Sequence, residues 1–329
     1  MNKKIKSAIQ YIVLLIIGGL LVYLSLKRTA VSKEEIYNSF SNVNFFWITV
    51  SLVISLLSHF ARAYRWNYLL ENYNHSVGLF NGTASVLIGY LANYGLPRMG
   101  ELTRCAVVNK YNKIPIDTSL GTVIAERVVD LFIKFILFLT VIFTKYNDLK
   151  NLLNKYILTP LSGKVNMQNI LLLGILGVIL ISILLFINRK KAGAGWFGKF
   201  IKIVKNLSQP LLNIHKIKRP IGFWILSFTI WILYFLSMYF CSLSMKSTEN
   251  LGVYSILVLF LFGTIGVIVT PGGIGAYHFL LTELLLFYSV DKSSAVAFPW
   301  IIWGSQFILI LILGGLSFIL LPIFNQQKK

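Results

Sequence analysis

Gly89-Tyr90-Leu91-Ala92-Asn93-Tyr94-Gly95-Leu96-Pro97-Arg98-Met99-Gly100-Glu101-Leu102-Thr103-Arg104 interrupts an apolar stretch in the first half of the chain. Its counterpart in the second half is Gly263-Thr264-Ile265-Gly266-Val267-Ile268-Val269-Thr270-Pro271-Gly272-Gly273-Ile274-Gly275-Ala276-Tyr277-His278. In each, a glycine stands eight residues before the proline, and another follows it by three or four. Proline ends a helix, and glycine lets a backbone turn sharply or approach another backbone closely. Interruptions at corresponding places in two hydrophobic halves point to discontinuous membrane segments, which in transporters surround the binding site. The pattern is compatible with either inverted or parallel repeat symmetry.

The surroundings of these segments are those of a membrane protein. Of 329 residues, 56% are hydrophobic and only 13% charged, more apolar surface than a water-soluble core can hide. Runs close to or above the ~20 residues that cross a bilayer cover 8–26, 45–60, 121–144, 169–187, 221–243, 251–269 and 297–320. A shorter run at 275–290 makes an eighth. The stretch 79–96 is apolar but holds three glycines and ends at Pro97, so it reads as entering the membrane and turning back. The sequence therefore predicts an all-α polytopic integral membrane protein. It has about eight transmembrane helices, with re-entrant or broken segments near 79–111 and 263–290. A single transmembrane domain spans 1–329, with a first half at 1–190, a cytoplasmic amphipathic linker at 191–219 and a second half at 220–329. In the linker, Trp196, Phe200, Ile203, Val204, Leu207 and Leu211 recur at helical spacing with Lys199, Lys202 and Lys205 between them. Such a helix lies flat on the inner leaflet.

The net charge of +20 follows membrane topology rather than a nucleic-acid surface. With the N-terminus inside, the inside loops hold twenty Lys and Arg and the outside loops nine. The positive-inside rule then puts both termini in the cytoplasm. The basic stretch 189–219 serves orientation and contact with anionic lipid. The first apolar run follows Lys3, Lys4 and Lys6 and ends in Lys27-Arg28 without a small-x-small cleavage pattern, so it reads as a retained helix. Cys105 and Cys241 lie far apart in apolar surroundings and imply neither a disulfide framework nor a metal site. No phosphate-cradling Gly-x-x-x-x-Gly-Lys-Ser/Thr loop is present, so no nucleotide or other cofactor is expected.

Intramembrane charge is costly, about 2.5–3.5 kcal/mol per ionised side chain at a helix centre on insertion scales, and marks function. Four of the eleven acidic residues, Glu101, Glu126, Asp130 and Glu283, lie in or against apolar runs. Arg62 and Arg65 close the second run and share a helix face. They read either as snorkelling residues at the cytoplasmic boundary, anchored by Trp66, or as binders of a headgroup. After Pro97 and Arg98, a helix restarting near Gly100 presents backbone N–H groups that favour an anion. Glu101 and Arg104 share one face of it, either as a self-neutralising pair or as part of the site. Within the third run, Glu126, Arg127, Asp130 and Lys134 make an ionic stripe. Arg62, Arg65, Arg98 and Arg104, counted with Arg127 and Lys134, outnumber Glu101, Glu126 and Asp130 by three. That surplus suits a phosphate-bearing ligand; a purely structural ion network is the competing reading. In the second half, the turn at Pro271, Gly272, Gly273 and Gly275 offers backbone N–H groups. His278 after it either gates a proton-linked step or is hydrogen-bonded within the bundle.

Taken together, these elements resemble the lysylphosphatidylglycerol synthase/flippase-like transmembrane family. The resemblance rests on Arg62/Arg65/Trp66, on Asn93/Pro97/Arg98/Gly100/Glu101/Arg104, on Glu126/Arg127/Asp130 and on Pro271/Gly272/Gly273/Gly275. It covers most of the chain and implies a multi-pass inner-membrane protein whose relatives move lipids between leaflets. By that resemblance, Asn93 joins the substrate-binding set of Arg62, Arg65, Arg98, Glu101, Arg104, Glu126, Arg127 and Asp130. Pro97, Gly100, Pro271, Gly272, Gly273, Gly275 and His278 form the hairpins and gate. Two departures stand out: His278 takes a position where the family usually has glutamate, and no aminoacyl-transferring domain follows the membrane region within these 329 residues. Lipid aminoacylation is therefore not expected.

The leading expectation is a transporter that carries an anionic phospholipid or lipid-linked headgroup through a net-positive intramembrane cavity. Its partners would be that lipid and either a second copy of the chain or a separate lipid-modifying enzyme, with no nucleic acid. The alternatives are an intramembrane enzyme acting on a lipid phosphate and a non-transporting membrane scaffold. Against the enzyme stands the lack of metal-ligand spacing or of a nucleophile with its base.

Overall fold

The computed structural model describes residues 3–95, 99–144 and 217–326. Pro97, Arg98, the 169–187 run and the linker up to residue 216 lie outside the described residues. The chain forms two compact units, one of Met1–Val123 with Lys218–Lys329 and one of Ile124–Ile217. The first contains α1 (Lys3–Thr29), α2 (Lys33–Ser41), α3 (Phe45–Leu70), α4 (Leu79–Gly95) and α5 (Gly100–Asn112). It continues with α7 (Pro220–Ser242), a short turn at Lys246–Glu249, α8 (Val253–Val269), α9 (Ala276–Phe287) and α10 (Lys292–Gln326). Helix α6 (Ile116–Thr144) begins in the first unit and runs on into the second.

Three segments, Phe45–Tyr73, Pro220–Ser242 and Lys292–Gln326, are long and apolar enough to cross a membrane. At 1.5 Å per residue they exceed the ~30 Å hydrocarbon core. Their outer faces carry exposed Ile221, Ile225, Ile308, Leu311 and Phe318. Such faces would aggregate in water and are at home among acyl chains. The chain is an all-α polytopic membrane protein, as its composition predicts. Among the helices, α3 packs most extensively against α7, and α4 against both α5 and α10.

Helices α4 and α8 have 17 residues each, α5 has 13 and α9 has 12. All four fall short of ~30 Å. Helix α4 packs back against α5, and α8 against α9, so each interrupted segment is a helical hairpin. The glycine eight residues before each proline marks where the outgoing arm touches the returning one. A Cβ added to Gly89 would lie 2.8 Å from the Gly100 carbonyl oxygen, and one on Gly100 would overlap the Gly89 carbonyl and the Asn93 amide. In the second hairpin, a Cβ on Gly263 would lie 2.9 Å from the Tyr277 ring, and one on Gly266 2.6 Å from the Tyr277 Cα. Glycine is needed because the arms meet backbone to backbone at Gly89, Gly100 and Gly266, and because the Tyr277 ring fills the space beside Gly263.

Hydropathy ends the second span at residue 60, but α3 continues to Leu70. The added turns are stable because their polar side chains are buried among protein partners rather than lipid. Trp66, Leu70, Val77, Cys105, Val108, Ile114 and Val123 form a buried cluster that fixes the end of α3 against α5 and the start of α6.

Local capping sets the helix starts outside the membrane. Ser32 and Glu35 make a reciprocal capping box at α2, with Ser32 N–H donating to Glu35 Oε2 at 2.7 Å and Glu35 N–H to Ser32 Oγ at 3.2 Å. Asp291 Oδ1 caps α10, accepting from Ser294 N–H at 2.9 Å and Ser293 Oγ at 2.8 Å. Partial burial alone would raise the Asp291 pKa, but these donors and Ser247 outweigh it and hold the carboxyl at about 2. Because the folded value lies below the usual ~3.9, the cap's contribution is present at neutral pH. It is lost as pH falls from about 4 towards 2. Asp291→Ala should cost about 1 kcal/mol at pH 7. The gap from wild type should close in detergent unfolding measurements at pH 2.

Candidate functional site

The buried face of α3 carries Ser51, Ser55, Ser58, His59, Arg62, Arg65 and Trp66. Their spacing of three to four residues makes one polar stripe down a membrane helix, about 20 Å long at 1.5 Å per residue. Its partners come from neighbouring helices. Ser51 Oγ donates to the Ser237 carbonyl at 2.7 Å, and Ser55 Oγ to Gln306 Oε1 at 2.7 Å; Gln306 Nε2 in turn lies 3.3 Å from Ser237 Oγ. Further along, Arg62 Nε donates to the Tyr234 hydroxyl at 3.2 Å, and that hydroxyl lies 3.2 Å from the hydroxyl of Tyr90. Arg65 Nη1 donates to Ser227 Oγ at 3.3 Å, with the guanidinium 5.7 Å from the Phe223 ring centroid.

Arg62, Arg65 and Arg104 are only 2%, 0% and 3% exposed. Snorkelling into water is therefore not what these arginines do. Arg104, on α5, holds its guanidinium 3.7 Å from the ring centroid of Trp66, a cation–π contact, while Trp66 Nε1 donates to Thr122 Oγ1 at 2.9 Å. Trp66 is thus a buried platform for Arg104, which corrects its reading as an interfacial anchor.

The first hairpin is closed by Asn93. Its Oδ1 accepts the Gly100 N–H at 2.7 Å, so the leading donor of α5 is already used for capping. Glu101 is half-buried one turn before Arg104 on the same helix. In the second unit, Glu126 and Asp130 are buried on α6, and Arg127 Nη1 lies 3.8 Å from Asp130 Oδ2.

The second hairpin turns through Gly272 (φ +61°), Gly273 (φ +80°) and Gly275 (φ +87°), all left-handed conformations that favour glycine. Pro271 is buried at the turn, and Trp303 Nε1 on α10 donates to the Gly272 carbonyl at 2.7 Å. A Cβ on Gly272 would lie 3.0 Å from the Tyr94 ring at the end of α4, so the two hairpin tips adjoin. Tyr94 meets Phe307 edge-on at 4.8 Å. Helix α1 closes the other side: Gly18 and Gly275 meet backbone to backbone, and Arg28 Nη1 pairs with buried Glu283 at 3.3 Å.

His278 is buried, with its ring 3.7 Å from that of Trp300. Its Nδ1 accepts the Gly275 N–H at 3.3 Å. This is the reach-back bond that a glutamate makes at the third position of a helix. Histidine can thus stand in that position without loss of the local cap. Its Nε2 has no hydrogen-bond partner among the described residues.

Sequence reasoning missed Tyr90 on α4, Tyr234 and Ser237 on α7 and Gln306 on α10, isolated polar residues in apolar helices. It also missed the Ser51/Ser55/Ser58/His59 run, although the helical spacing of these residues signals it.

Residues 10–314 match the family model described as the lysylphosphatidylglycerol synthase transmembrane region. A UPF0104 membrane protein of Methanocaldococcus jannaschii is 29% identical over 205 residues, covering 61% of this chain and 80% of that relative. No solved structure matches the chain.

Proposed function

The chain belongs to the lysylphosphatidylglycerol synthase transmembrane-region family, and from that premise we propose that it moves an anionic phospholipid or lipid-linked headgroup between membrane leaflets. The observation that supports this reading best is the pair of buried arginines, Arg62 and Arg65, on the polar stripe of α3, with buried Arg104 of α5 held against Trp66 of the same stripe. A phosphate is the anion whose geometry suits such guanidinium groups. The acyl tails stay in lipid while the phosphate is passed along protein groups, and no bond is made or broken. Arg98, next to Pro97 in the sequence, belongs to the same basic set. The hairpins supply the parts that change packing as access alternates. The membrane is the plasma membrane, with both termini cytoplasmic.

The test is leaflet exchange of fluorescent lipids in vesicles reconstituted with the full chain. Anionic phosphatidyl lipids should equilibrate faster than in protein-free vesicles, and faster than phosphatidylcholine. Equal rates with and without protein would overturn the proposal. So would phosphate release or a new lipid species on thin-layer analysis, which would point instead to an enzyme acting on lipid phosphate.

A further inference from the structure

Much of the α3 stripe is satisfied within the protein, and one place among the described residues where it is not is informative. Ser51, Ser55, Ser237 and Gln306 hydrogen-bond to one another. One turn on, His59 is buried, and its Nδ1 finds no hydrogen-bond partner among the described residues. The His59 ring lies 5.1 Å from that of Tyr90 and 6.4 Å from that of Tyr234. The two tyrosine hydroxyls lie 3.2 Å apart, and Arg62 donates to one of them. Three helices, α3, α4 and α7, therefore bring an imidazole nitrogen and two phenol hydroxyls together beside a guanidinium. Both tyrosines are only partly buried.

The chemistry of this cluster differs from that of an ion site. Imidazole and phenol groups each offer donor and acceptor capacity, which matches an alcohol rather than a second anion. A buried polar atom without a partner is unfavourable, and a ligand hydroxyl that reaches it removes that penalty.

We infer that His59, Tyr90 and Tyr234 form a hydroxyl-recognising subsite beside Arg62, selecting phosphodiester lipids whose headgroup carries free hydroxyls over those without them. The inference rests on the transport reading above. The arginine takes the phosphate, and the subsite takes the neutral polyol beyond it. The three residues set which headgroup is accepted, and the arginines set that it is anionic.

The experiment compares, in vesicles reconstituted with the full chain, the exchange rates of phosphatidylglycerol and phosphatidylmethanol. The two lipids have the same charge and differ in headgroup hydroxyls. Wild type should favour phosphatidylglycerol by about tenfold, the worth of one net hydrogen bond of ordinary strength. Tyr90→Phe, which removes one hydroxyl and keeps the ring, should bring the ratio towards one, and His59→Ala should do the same. Equal wild-type rates for the two lipids, both above the protein-free rate, would overturn the subsite and leave the transport reading standing. A wild-type preference that persists unchanged in both variants would also overturn it. Rates of both lipids no faster than in protein-free vesicles would overturn the transport reading itself, and the subsite with it.

Discussion

Gly275→Ala is expected to destabilise the protein by about 3 kcal/mol or more, because two independent penalties fall on one methyl group. The first is conformational: Gly275 has φ +87° and ψ −60°, a region that L-residues reach at a cost of about 1–2 kcal/mol or above. The second is steric, since the new Cβ would overlap the backbone of Gly18 on α1. Backbone cannot yield as a flexible side chain can, and overpacking of this sort costs typically about 1–3 kcal/mol. Gly18→Ala meets the same wall from the other side, with its Cβ 2.5 Å from the Ile274 carbonyl oxygen, but its helical backbone carries no left-handed penalty. It should therefore be the milder of the two. The double variant should cost less than the sum, because both changes force α1 off the same turn. Unfolding titrations in detergent provide the comparison. A Gly275→Ala protein as stable as wild type would show that α1 does not rest on this turn.

Replacing Arg62 and Arg65 together by alanine should reduce anionic lipid exchange by about a hundredfold or more. A hydrogen bond to a charged group is worth about 1.5–3 kcal/mol, or ten- to a hundredfold for each arginine. The single variants should each lose about tenfold or more. Lysine at either place should restore only part of the rate, since an ammonium keeps the charge but loses the planar, two-pronged contact to phosphate. Arg62→Lys would also give up the Nε bond to Tyr234. Selectivity separates function from folding. Loss of an electrostatic contact slows anionic lipids and leaves the ratio to phosphatidylcholine changed, whereas a damaged fold lowers both together. A double variant that slows both lipids equally would mark these arginines as structural.

The elements of the fold that depend on local chemistry were legible in the chain. The hairpins at 79–112 and 253–287 are announced by Gly89, Pro97, Gly263 and Pro271, because a broken helix needs a break and a close crossing needs missing side chains. The far end of α3 was not legible from hydropathy. Arg62 and Arg65 look like the end of a span until Tyr234 and Ser227 are known to lie against them. The close approach of Gly18 to Gly275 was equally hidden, since a lone glycine in α1 has no local signature. For the site, Arg62, Arg65 and Arg104 stood out as charges in apolar company. Tyr90, Tyr234 and Gln306 did not, because one polar residue per helix acquires meaning only when helices distant in sequence converge. Trp66 was misread for the same reason. Beside Arg65 it resembles an interfacial anchor, and only the fold shows it beneath Arg104.

The crossing at Gly89/Gly100 has a mechanical side. Where large side chains interdigitate, one helix can slide past another only by lifting each ridge out of its groove. A crossing made of bare backbone has no teeth. In the first hairpin the arms meet in this way at Gly89/Gly100, a fulcrum about 9 Å from the end of α4 at Gly95, by six residues at 1.5 Å each. A small rotation there swings the tip about the hydrogen bond between Asn93 and the Gly100 N–H. The same missing methyl groups that let the first hairpin close also give it a pivot.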